Sequence, residues 1–468
     1  MYVKQFYTGC LAEAAYYVES DGEAAIIDPL RDIEPYLEIA RERGAQVRYV
    51  LETHFHADFV SGHLDLAKKT GAKIVYGPTA QPGFETHIAE DGEILPLGKT
   101  KFEVLHTPGH TMESSTFLLY SEEGEKEAIF TGDTLFIGDV GRPDLAVKTD
   151  LSREDLASHL YDSLRNKIMP LPDSVTVYPG HGQGSACGKN MSSETIDSLG
   201  NQKKSNYALN PDMTKAEFIS EITEGLVKPP QYFPKNAVIN KSGYRELDEL
   251  LAESLKGLSP AEFEQLAREK DALILDTRHQ SEWLKGHIPN SLYIGLHDNF
   301  APWVGALIED LHTPILFISD PGREEEVVTR LNRVGYDNAL GYLEGGMQAW
   351  FDAGKEMTTA PEISPEEVEA NFENLKGQIV DVRKKSEYDG RHLEGVTNRP
   401  LDFLPEHLDD FDRNQKYYMH CAAGYRSVVA TSILERAGFE AVSINGGFEE
   451  LSKKQLPLSE PQEVSSML

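Results

Sequence analysis

The chain has 468 residues, of which 40% are hydrophobic and 9% aromatic, and this length exceeds what one ordinary domain needs. Its formal net charge is −32, from 77 acidic and 45 basic residues, which argues against nucleic acid or an anionic membrane as a partner. Three scattered cysteines exclude a disulfide framework, and neither a signal peptide nor a membrane-length apolar run is recognisable. The sequence therefore predicts a cytoplasmic protein of several domains.

Short apolar strands alternate with helices in the first predicted domain, residues 1–228. Runs such as EAAIIDP (23–29) and VRYVLE (47–52) are rich in β-branched and apolar residues and predict buried strands. Helices are predicted over 35–44 and 64–71, each ended by a glycine. A third helix is predicted after Ser152, which forms a capping-box pair with Asp155.

Several histidines and aspartates follow predicted strands of this domain. The stretch from 50 to 63, VLETHFHADFVSGH, contains three histidines and an aspartate, and HTPGH, TGD and YPGHG end later apolar strands. Loops held by a rigid sheet are common positions for metal ligands, and imidazole and carboxylate are metal-binding groups. The sequence therefore predicts a metal site. Its candidate residues are His54, His56, Asp58, His110, Asp133 and His181.

The chain beyond residue 228 is predicted to be a linker followed by two repeats. Residues 229–257 begin with prolines and polar residues, which indicate a connector. The stretch LILDTRHQSEWLKGHIP, from 273, then matches QIVDVRKKSEYDGRHLEG, from 378, at fixed internal offsets. We predict two small α/β domains with parallel sheets, over 258–357 and 362–460.

The order and spacing of the strand-end motifs, H-x-H-x-D and then His, Asp and His, resemble the metallo-β-lactamase superfamily. This resemblance covers roughly the first 228 residues and implies an αββα sandwich with a metal at one edge of two facing sheets. Hydrolases of the glyoxalase II type carry a histidine directly after the aspartate, where this chain has Phe59. Phenylalanine cannot ligate, so a single metal is expected. His63 is predicted to be a surface or helix-cap histidine and not a replacement ligand.

Within the superfamily, the pattern is similar to the persulfide dioxygenases, whose matching positions bind one iron. The similarity implies one Fe(II) per chain in a set of two histidines and one carboxylate, which suits non-haem iron oxygen chemistry. The implied ligands are His54, His110 and Asp133. The residues implied to lie near the metal, where they orient ligands and water, are His56, Asp58 and His181.

Two further residues have alternative interpretations. Arg142 matches the family's arginine near the substrate pocket, where a guanidinium suits an anionic group, or it holds its loop through an ion pair with Asp139 or Asp144. Cys187, six residues after His181, is either a thiol near the iron that can carry a persulfide or a buried inert cysteine.

The second repeat contains a loop suited to sulfur transfer. Cys421 opens CAAGYRS between a predicted strand and helix, where backbone N–H groups and the helix dipole stabilise a thiolate, and Arg426 adds a cation. The C-x-x-G-x-R loop, with its DVR and GG flanks, resembles the rhodanese family and implies a sulfur-carrying Cys421 rather than a structural thiol. The first repeat has Asp320 in that place and reads DPGREEE, so we expect it to be catalytically silent.

The predicted fold is α/β multidomain, an αββα metallo-β-lactamase sandwich followed by two parallel-sheet rhodanese-like domains. The resemblance implies a persulfide dioxygenase (RSSH + O2 + H2O to RSH and sulfite) fused to a rhodanese that exchanges sulfur between persulfide, sulfite and thiosulfate. The expected partners are O2 and a small persulfide such as glutathione persulfide or coenzyme A persulfide, with no nucleic acid and no membrane. Homo-oligomerisation stays open. The rival interpretations are a zinc thioester hydrolase of the glyoxalase II type and a sulfur-carrier scaffold.

Overall fold

The computed structural model describes residues 1–146, 151–297 and 299–459. The chain forms two compact units, the first of Met1–Leu250 with Asn332–Gly335 and the second of Leu251–Leu331 with Tyr336–Leu468. Within the described ranges, none of the helices combines the length and apolar content that crossing a bilayer requires. The predicted end of the last domain, residue 460, lies outside the described residues.

Two six-stranded sheets form the centre of the first unit. The first sheet consists, in sequence order, of β1 (Tyr2–Thr8), β2 (Glu13–Ser20), β3 (Glu23–Ile27), β4 (Gln46–Glu52), β5 (Lys73–Tyr76) and β6 (His87–Ile88). The second consists of β7 (Ile94–Leu97), β8 (Thr100–His106), β9 (Ser115–Tyr120), β10 (Lys126–Gly132), β11 (Thr176–Pro179) and β12 (Asp197–Ser198), again in sequence order across the sheet. Inward side chains such as Val18 and Leu51 from one sheet and Phe117 and Phe130 from the other share one apolar core.

Helices cover the outer faces of both sheets. They are α1 (Glu34–Arg43), α2 (His63–Thr70), α3 (Arg153–Ser163), α4 (Leu199–Ser205) and α5 (Lys215–Thr223), with a π turn at Leu164–Ile168 and a 3-10 turn at Tyr207–Leu209. Helices α6 (Phe233–Ser242) and α7 (Leu247–Ser254) follow in the chain, and the first unit ends within α7. Helix α1 packs Tyr36 and Ile39 against the first sheet, and α3 packs Leu160 against the second. The predicted capping box of Ser152 and Asp155 is present at the start of α3. These layers confirm the predicted αββα sandwich.

The connector predicted for the first part of 229–257 is corrected by the structure, because Phe233–Ser242 is helical, whereas the helical stretch predicted to follow it, YRELDELLAESL, does contain a helix. Helix α6 lies in the first unit, and its buried Asn240 donates hydrogen bonds to the carbonyl oxygens of His56 (2.8 Å) and Phe59 (2.7 Å). Proline did not prevent the helix, since Pro234 lies in the first turn, where no backbone N–H is needed. The segment therefore supports the histidine loop.

The second unit contains two five-stranded parallel sheets of identical strand order, which confirms the predicted repeat. The first sheet has the order β13 (Gly257–Leu258), β17 (Ala339–Leu343), β16 (Ile315–Ile318), β14 (Leu273–Asp276) and β15 (Leu292–Tyr293). The second has the order β18 (Glu362–Ile363), β22 (Glu440–Ile444), β21 (Lys416–His420), β19 (Ile379–Asp381) and β20 (Thr397–Asn398). The helices are α8 (Pro260–Lys270), α9 (Gln280–Lys285), α10 (Phe300–Leu307), α11 (Glu324–Asn332), α12 (Gly346–Asp352), α13 (Pro365–Leu375), α14 (Lys385–Gly390), α15 (Tyr425–Arg436) and α16 (Gly447–Leu451), with 3-10 turns at Lys376–Gln378 and Leu401–Asp410.

The repeated D-x-R sequence forms the same ion pair in each copy. Asp276 pairs with Arg278 at 2.6 Å, and Asp381 pairs with Arg383 at 2.6 Å. In each copy the arginine also donates to a backbone carbonyl eight residues further on. The repeated sequence is therefore a structural element at the carboxyl ends of β14 and β19, since the buried carboxylate and guanidinium satisfy each other.

Candidate metal centre and sulfur-transfer site

Three of the predicted metal-site residues converge at one edge of the two sheets. His54 follows β4, His110 follows β8 and Asp133 follows β10, and all three side chains are buried. The Nε2 atom of His54 lies 3.9 Å from Asp133 Oδ2, and the Nε2 atom of His110 lies 3.4 Å from the same oxygen. The three atoms all lie within 4.8 Å of one another, so the three side chains could hold one metal ion.

The chemistry of this donor set fits a metal. Asp133 Oδ2 is buried and, among the residues that the structure describes, no group hydrogen-bonds to it. The separations of 3.4 and 3.9 Å are too long for hydrogen bonds, but they suit atoms that are each about 2.1 Å from a shared ion. A bound ion would therefore satisfy an oxygen that is otherwise orphaned.

The protonation states also suit ligation. Burial, reinforced by the neighbouring His56, lowers the pKa of His54 well below its ordinary value, so its imidazole is neutral. Burial alone would raise the pKa of Asp133, but the His181 and His110 side chains hold it well below its usual range. Metal ligands must be deprotonated, and these two groups are.

Each donor is oriented by a partner on its other side. His54 Nδ1 is hydrogen-bonded to Thr53 Oγ1 at 2.9 Å, and His110 Nδ1 donates to the Arg142 carbonyl oxygen at 2.9 Å. Thr53 Oγ1 in turn donates to a carboxylate oxygen of Asp28 at 2.8 Å. These contacts fix the rings with Nε2 free, which is the usual arrangement around a metal-binding histidine.

His181 lies between two carboxylates. Its Nδ1 donates to Asp133 Oδ1 at 2.7 Å, and its Nε2 donates to Asp58 Oδ2 at 2.8 Å. Burial opposes the charged form, but Asp133 and Asp58 raise the pKa of His181 well above its ordinary value. Both ring nitrogens of His181 are thus hydrogen-bonded to carboxylates, and the role of His181 and Asp58 in orienting a ligand stays a prediction.

His56 lies close to this set but faces away from it. Its Nε2 atom is 3.1 Å from Asp28 Oδ1 and 3.5 Å from Glu52 Oε2, and these three residues form a second buried group. Sequence reasoning missed Asp28 and Glu52. Each ends an apolar strand, as Asp133 does, so the rule that found Asp133 could have found them.

His63 corrects the sequence prediction, because it is fully buried and not at the surface. It opens α2, its Nδ1 lies 3.6 Å from Glu52 Oε1, and its ring stacks on Phe84 with centroids 4.9 Å apart. Helix α2 begins close to the core, where a Cβ on Gly62 would lie 2.3 Å from the Leu30 carbonyl oxygen. Burial, with a smaller contribution from His56, lowers the pKa of His63 to about 3.

Replacement of His63 by glutamine should make stability less sensitive to acid. The folded protein keeps His63 neutral down to a pKa of about 3, whereas the unfolded chain takes up this proton below the ordinary value of 6.5. Stability therefore falls with decreasing pH between these values, by about 1.4 kcal/mol per pH unit for this group. Urea unfolding across this pH range should show a shallower slope for His63→Gln. Equal slopes in the two proteins would contradict the assignment.

Arg142 forms an ion pair with Asp144. Of the two interpretations of this arginine, a substrate-binding group or a residue that holds its loop, the contact is that of the second. Its Nε donates to Asp144 Oδ1 at 2.6 Å, a terminal nitrogen donates to Oδ2 at 2.8 Å, and another donates to the Ala186 carbonyl oxygen at 3.2 Å. The guanidinium is almost fully buried. Arg142 therefore stabilises the loop whose carbonyl oxygen orients His110.

Substitution of either partner of this ion pair should lower the free energy of unfolding. Arg142→Met and Asp144→Asn should each lower the free energy of unfolding by about 3 kcal/mol, because each leaves a buried charge without its partner. The double substitution should cost less than the sum, which thermal or urea unfolding of all four proteins measures. Full additivity, with a raised KM only for Arg142→Met, would instead favour a substrate-binding arginine.

Cys187 combines features of both of its predicted alternatives. It is buried, and its sulfur lies within 4.8 Å of ligand atoms of Asp58 and His181. Burial, followed by the charges of Asp133 and Asp58, raises the pKa of Cys187 well above its ordinary value. The residue is therefore a protonated thiol beside the candidate metal centre.

The loop after β21 places a backbone N–H and the start of a helix beside Cys421. The Gly424 N–H donates to Cys421 Sγ at 3.1 Å, and α15 begins at the next residue. Gly424 has a φ of +109°, which favours glycine, and a Cβ on Gly447 would lie 2.5 Å from the Cys421 carbonyl oxygen. The small residues thus allow the backbone to curl around the sulfur.

Arg426 is fixed by a carboxylate next to this loop. Its two terminal nitrogens donate to Glu387 at 2.7 and 2.8 Å. Burial lowers the pKa of Arg426, but Glu387 outweighs this effect and raises it above its ordinary value. The expected cation is present, and Glu387, which sequence reasoning had treated only as part of the repeat, holds it in position.

Family comparisons divide the chain in the same way. The sequence model described as Metallo-beta-lactamase superfamily matches residues 8–181. The one described as Rhodanese-like domain matches 259–353 and 364–454. A solved structure described as a metallo-beta-lactamase from Staphylococcus aureus subsp. aureus COL is 32% identical, with a TM-score of 0.64, and the match covers 73% of this chain and 98% of that one.

Curated relatives match the N-terminal part. A probable hydroxyacylglutathione hydrolase of Schizosaccharomyces pombe is 34% identical over 166 residues, 35% of this chain and 60% of that protein. The human protein named persulfide dioxygenase ETHE1, mitochondrial, is 32% identical over 161 residues, 34% of this chain and 59% of that protein. This chain thus spans about three fifths of the length of each relative.

Proposed function

The chain belongs to the metallo-beta-lactamase superfamily and carries two rhodanese-like domains, and on this basis we propose that it is a persulfide dioxygenase joined to a sulfurtransferase. The N-terminal domain would convert a low-molecular-weight persulfide, O2 and water into the thiol and sulfite. The second rhodanese-like domain would move sulfur between persulfide, sulfite and thiosulfate. The first is proposed to be catalytically silent, because Asp320 occupies the place of the cysteine.

One observation carries the metal part of this proposal: the donor set at the sheet edge contains two histidines and one carboxylate. Such a set leaves positions for substrate and oxygen and is typical of mononuclear non-haem iron. The position that carries a second-metal histidine in hydrolases of the glyoxalase II type holds Phe59, which cannot ligate, and both ring nitrogens of His181 are hydrogen-bonded to carboxylates. We therefore propose one Fe(II) per chain.

The residues around the set have separate tasks in this proposal. His54, His110 and Asp133 would hold the metal, and Fe(II) held there would supply the redox chemistry between O2 and the terminal sulfur. His181 holds a proton between Asp133 and Asp58, which keeps Asp133 Oδ1 engaged and leaves Oδ2 for the metal. Cys187 places a neutral thiol at the side of the site.

The sulfur-transfer step follows from the Cys421 loop. The Cys421 thiolate attacks the outer sulfur of thiosulfate, and a bond forms between Sγ and that sulfur. The S–S bond of thiosulfate breaks, and its electron pair leaves on sulfite. A small thiolate then takes the outer sulfur of the cysteine persulfide, which gives RSS⁻ and restores the cysteine. The Gly424 N–H and the start of α15 stabilise the negative sulfur in both steps. The reverse sequence makes thiosulfate from sulfite.

Zinc-dependent thioester hydrolysis is the second candidate function. It is favoured by the similarity to the S. pombe hydrolase, and the group of Asp58, His181 and Cys187 is compact enough to hold a further ion. Against it stands the position of Phe59. Metal analysis of the full chain, purified without chelators, separates the candidates. We expect about one iron per chain and no hydrolysis of S-lactoylglutathione. Two zinc ions with thioester hydrolysis would refute the dioxygenase.

A further inference from the structure

A buried acidic pair lies beside the candidate metal centre and contacts neither a lysine nor an arginine among the described residues. Asp28 follows β3 and Glu52 ends β4, and both are almost fully buried. Thr53 satisfies Asp28 through its N–H (2.7 Å) and its hydroxyl (2.8 Å), and Ser61 donates to Glu52 Oε1 at 2.5 Å. Glu52 Oε2 has no hydrogen-bond partner in the described part of the chain.

The His56 imidazole lies next to this pair, and in the described part of the chain neither of its ring nitrogens has a hydrogen-bond partner. Its Nε2 is 3.1 Å from Asp28 Oδ1 and 3.5 Å from Glu52 Oε2. Its ring centroid is only 4.2 Å from that of His54, so a change of side-chain rotamer could bring a nitrogen of His56 to the metal. The buried side chain is thus an additional histidine that the metal site does not use.

Two further contacts keep His56 in this orientation. Phe59 stacks on the imidazole, with centroids 4.3 Å apart and an interplanar angle of 29°. The Asn240 amide donates to the carbonyl oxygens of both His56 and Phe59, which fixes the backbone of the turn between them. Phe59 therefore has two effects: it cannot bind a metal, and it packs against His56.

We propose that Glu52 and Phe59 are positioning residues that keep His56 out of the metal's coordination sphere. They thereby set the number of histidine ligands at two and keep the remaining positions open for substrate and oxygen. This inference rests on the proposed metal centre. The absence of a histidine at position 59 would then not be the sole cause of the low number of ligands. Glu52, two positions before the first ligand, His54, would also contribute.

The test counts histidine ligands instead of measuring turnover. Full-length wild type, Glu52→Gln and Phe59→Leu are each loaded with Co(II), and pulsed EPR counts the coordinated imidazoles. Glu52→Gln removes the carboxyl group that lies 3.5 Å from His56 Nε2 and keeps the volume, and Phe59→Leu removes the stacking and keeps an apolar side chain. We expect two imidazoles in wild type and three in either variant. Affinity for Zn(II), measured by competition with a chelator, should rise about tenfold.

Asp65→Asn is the matched control, since Asp65 is a buried acid of the same unit on α2 that belongs to neither group. It should leave two imidazoles and the Zn(II) affinity unchanged. Two imidazoles with unchanged affinity in every folded variant would overturn the inference, as would loss of Co(II) from a folded Glu52→Gln protein. If Glu52→Gln does not fold, the imidazole count and the Zn(II) affinity of Phe59→Leu decide the outcome. Absence of O2 uptake in wild type would refute the proposed function and leave the ligand count as it is.

Discussion

Replacement of Cys421 by serine is expected to abolish transfer of sulfur from thiosulfate while O2 uptake with a small persulfide continues. The serine hydroxyl is a poor nucleophile toward sulfur and cannot carry a persulfide, so the transferase rate should fall by about a thousandfold or more. Cyanide-dependent formation of thiocyanate measures the transferase, and an oxygen electrode measures the N-terminal reaction. The loop should remain folded, because the serine oxygen can accept the Gly424 N–H that now reaches Sγ.

Cys10→Ser is the matched control for this experiment, since Cys10 is a free and only partly buried cysteine outside both sites. It should leave both activities unchanged. Transferase activity that persists in Cys421→Ser would show that sulfur is carried elsewhere. A loss of both activities in that variant would contradict the expectation that O2 uptake continues without the transferase.

Asp133→Asn is expected to remove the metal and with it O2 uptake, while the transferase is retained. The amide keeps the size of the side chain but supplies no anionic oxygen between the imidazoles of His54 and His110. It also leaves the charged His181 with one carboxylate partner in place of two. We expect metal affinity to fall by more than about a hundredfold, because even the loss of an orienting partner costs 10- to 100-fold.

Iron content and O2 uptake are measured on the same samples of wild type, Asp133→Asn and the control Asp65→Asn. The control should keep its iron and its activity. An Asp133→Asn protein that retains a full equivalent of iron would show that Asp133 is not a ligand. Iron lost in the control as well would show that any buried charge change disrupts the domain.

The sequence was sufficient to predict the two kinds of fold and the convergence of His54, His110 and Asp133, because their signals are local. A histidine or aspartate directly after an apolar strand indicates a strand-end site, as for His54 and Asp133. Strand β1 was missed because it is a half-exposed edge strand without a continuous apolar run. The short strands β6, β7 and β12 lack enough residues to show a period.

The orientation of His56 could not be predicted, because it depends on contacts that are distant in sequence. Ile27 pairs with Leu51 in the parallel strands β3 and β4, so Asp28 and Glu52 emerge side by side, a register that neither strand reveals alone. Asn240, which fixes the same turn, lies 184 residues after His56. Likewise, His63 was predicted to be a surface or helix-cap histidine; it does lie at the start of α2, but its burial depends on how α2 packs against other segments.

The most direct test of the proposed dioxygenase is the stoichiometry of O2 uptake by the full chain with quantified iron. Glutathione persulfide, coenzyme A persulfide and other small persulfides serve as substrates, and O2, sulfite and free thiol are measured together. We expect one O2 to be consumed for each sulfite and each thiol formed, at a rate proportional to the iron content, and no uptake after iron removal. Full activity of an iron-free protein, or no O2 uptake with any persulfide by the iron-loaded protein, would contradict it.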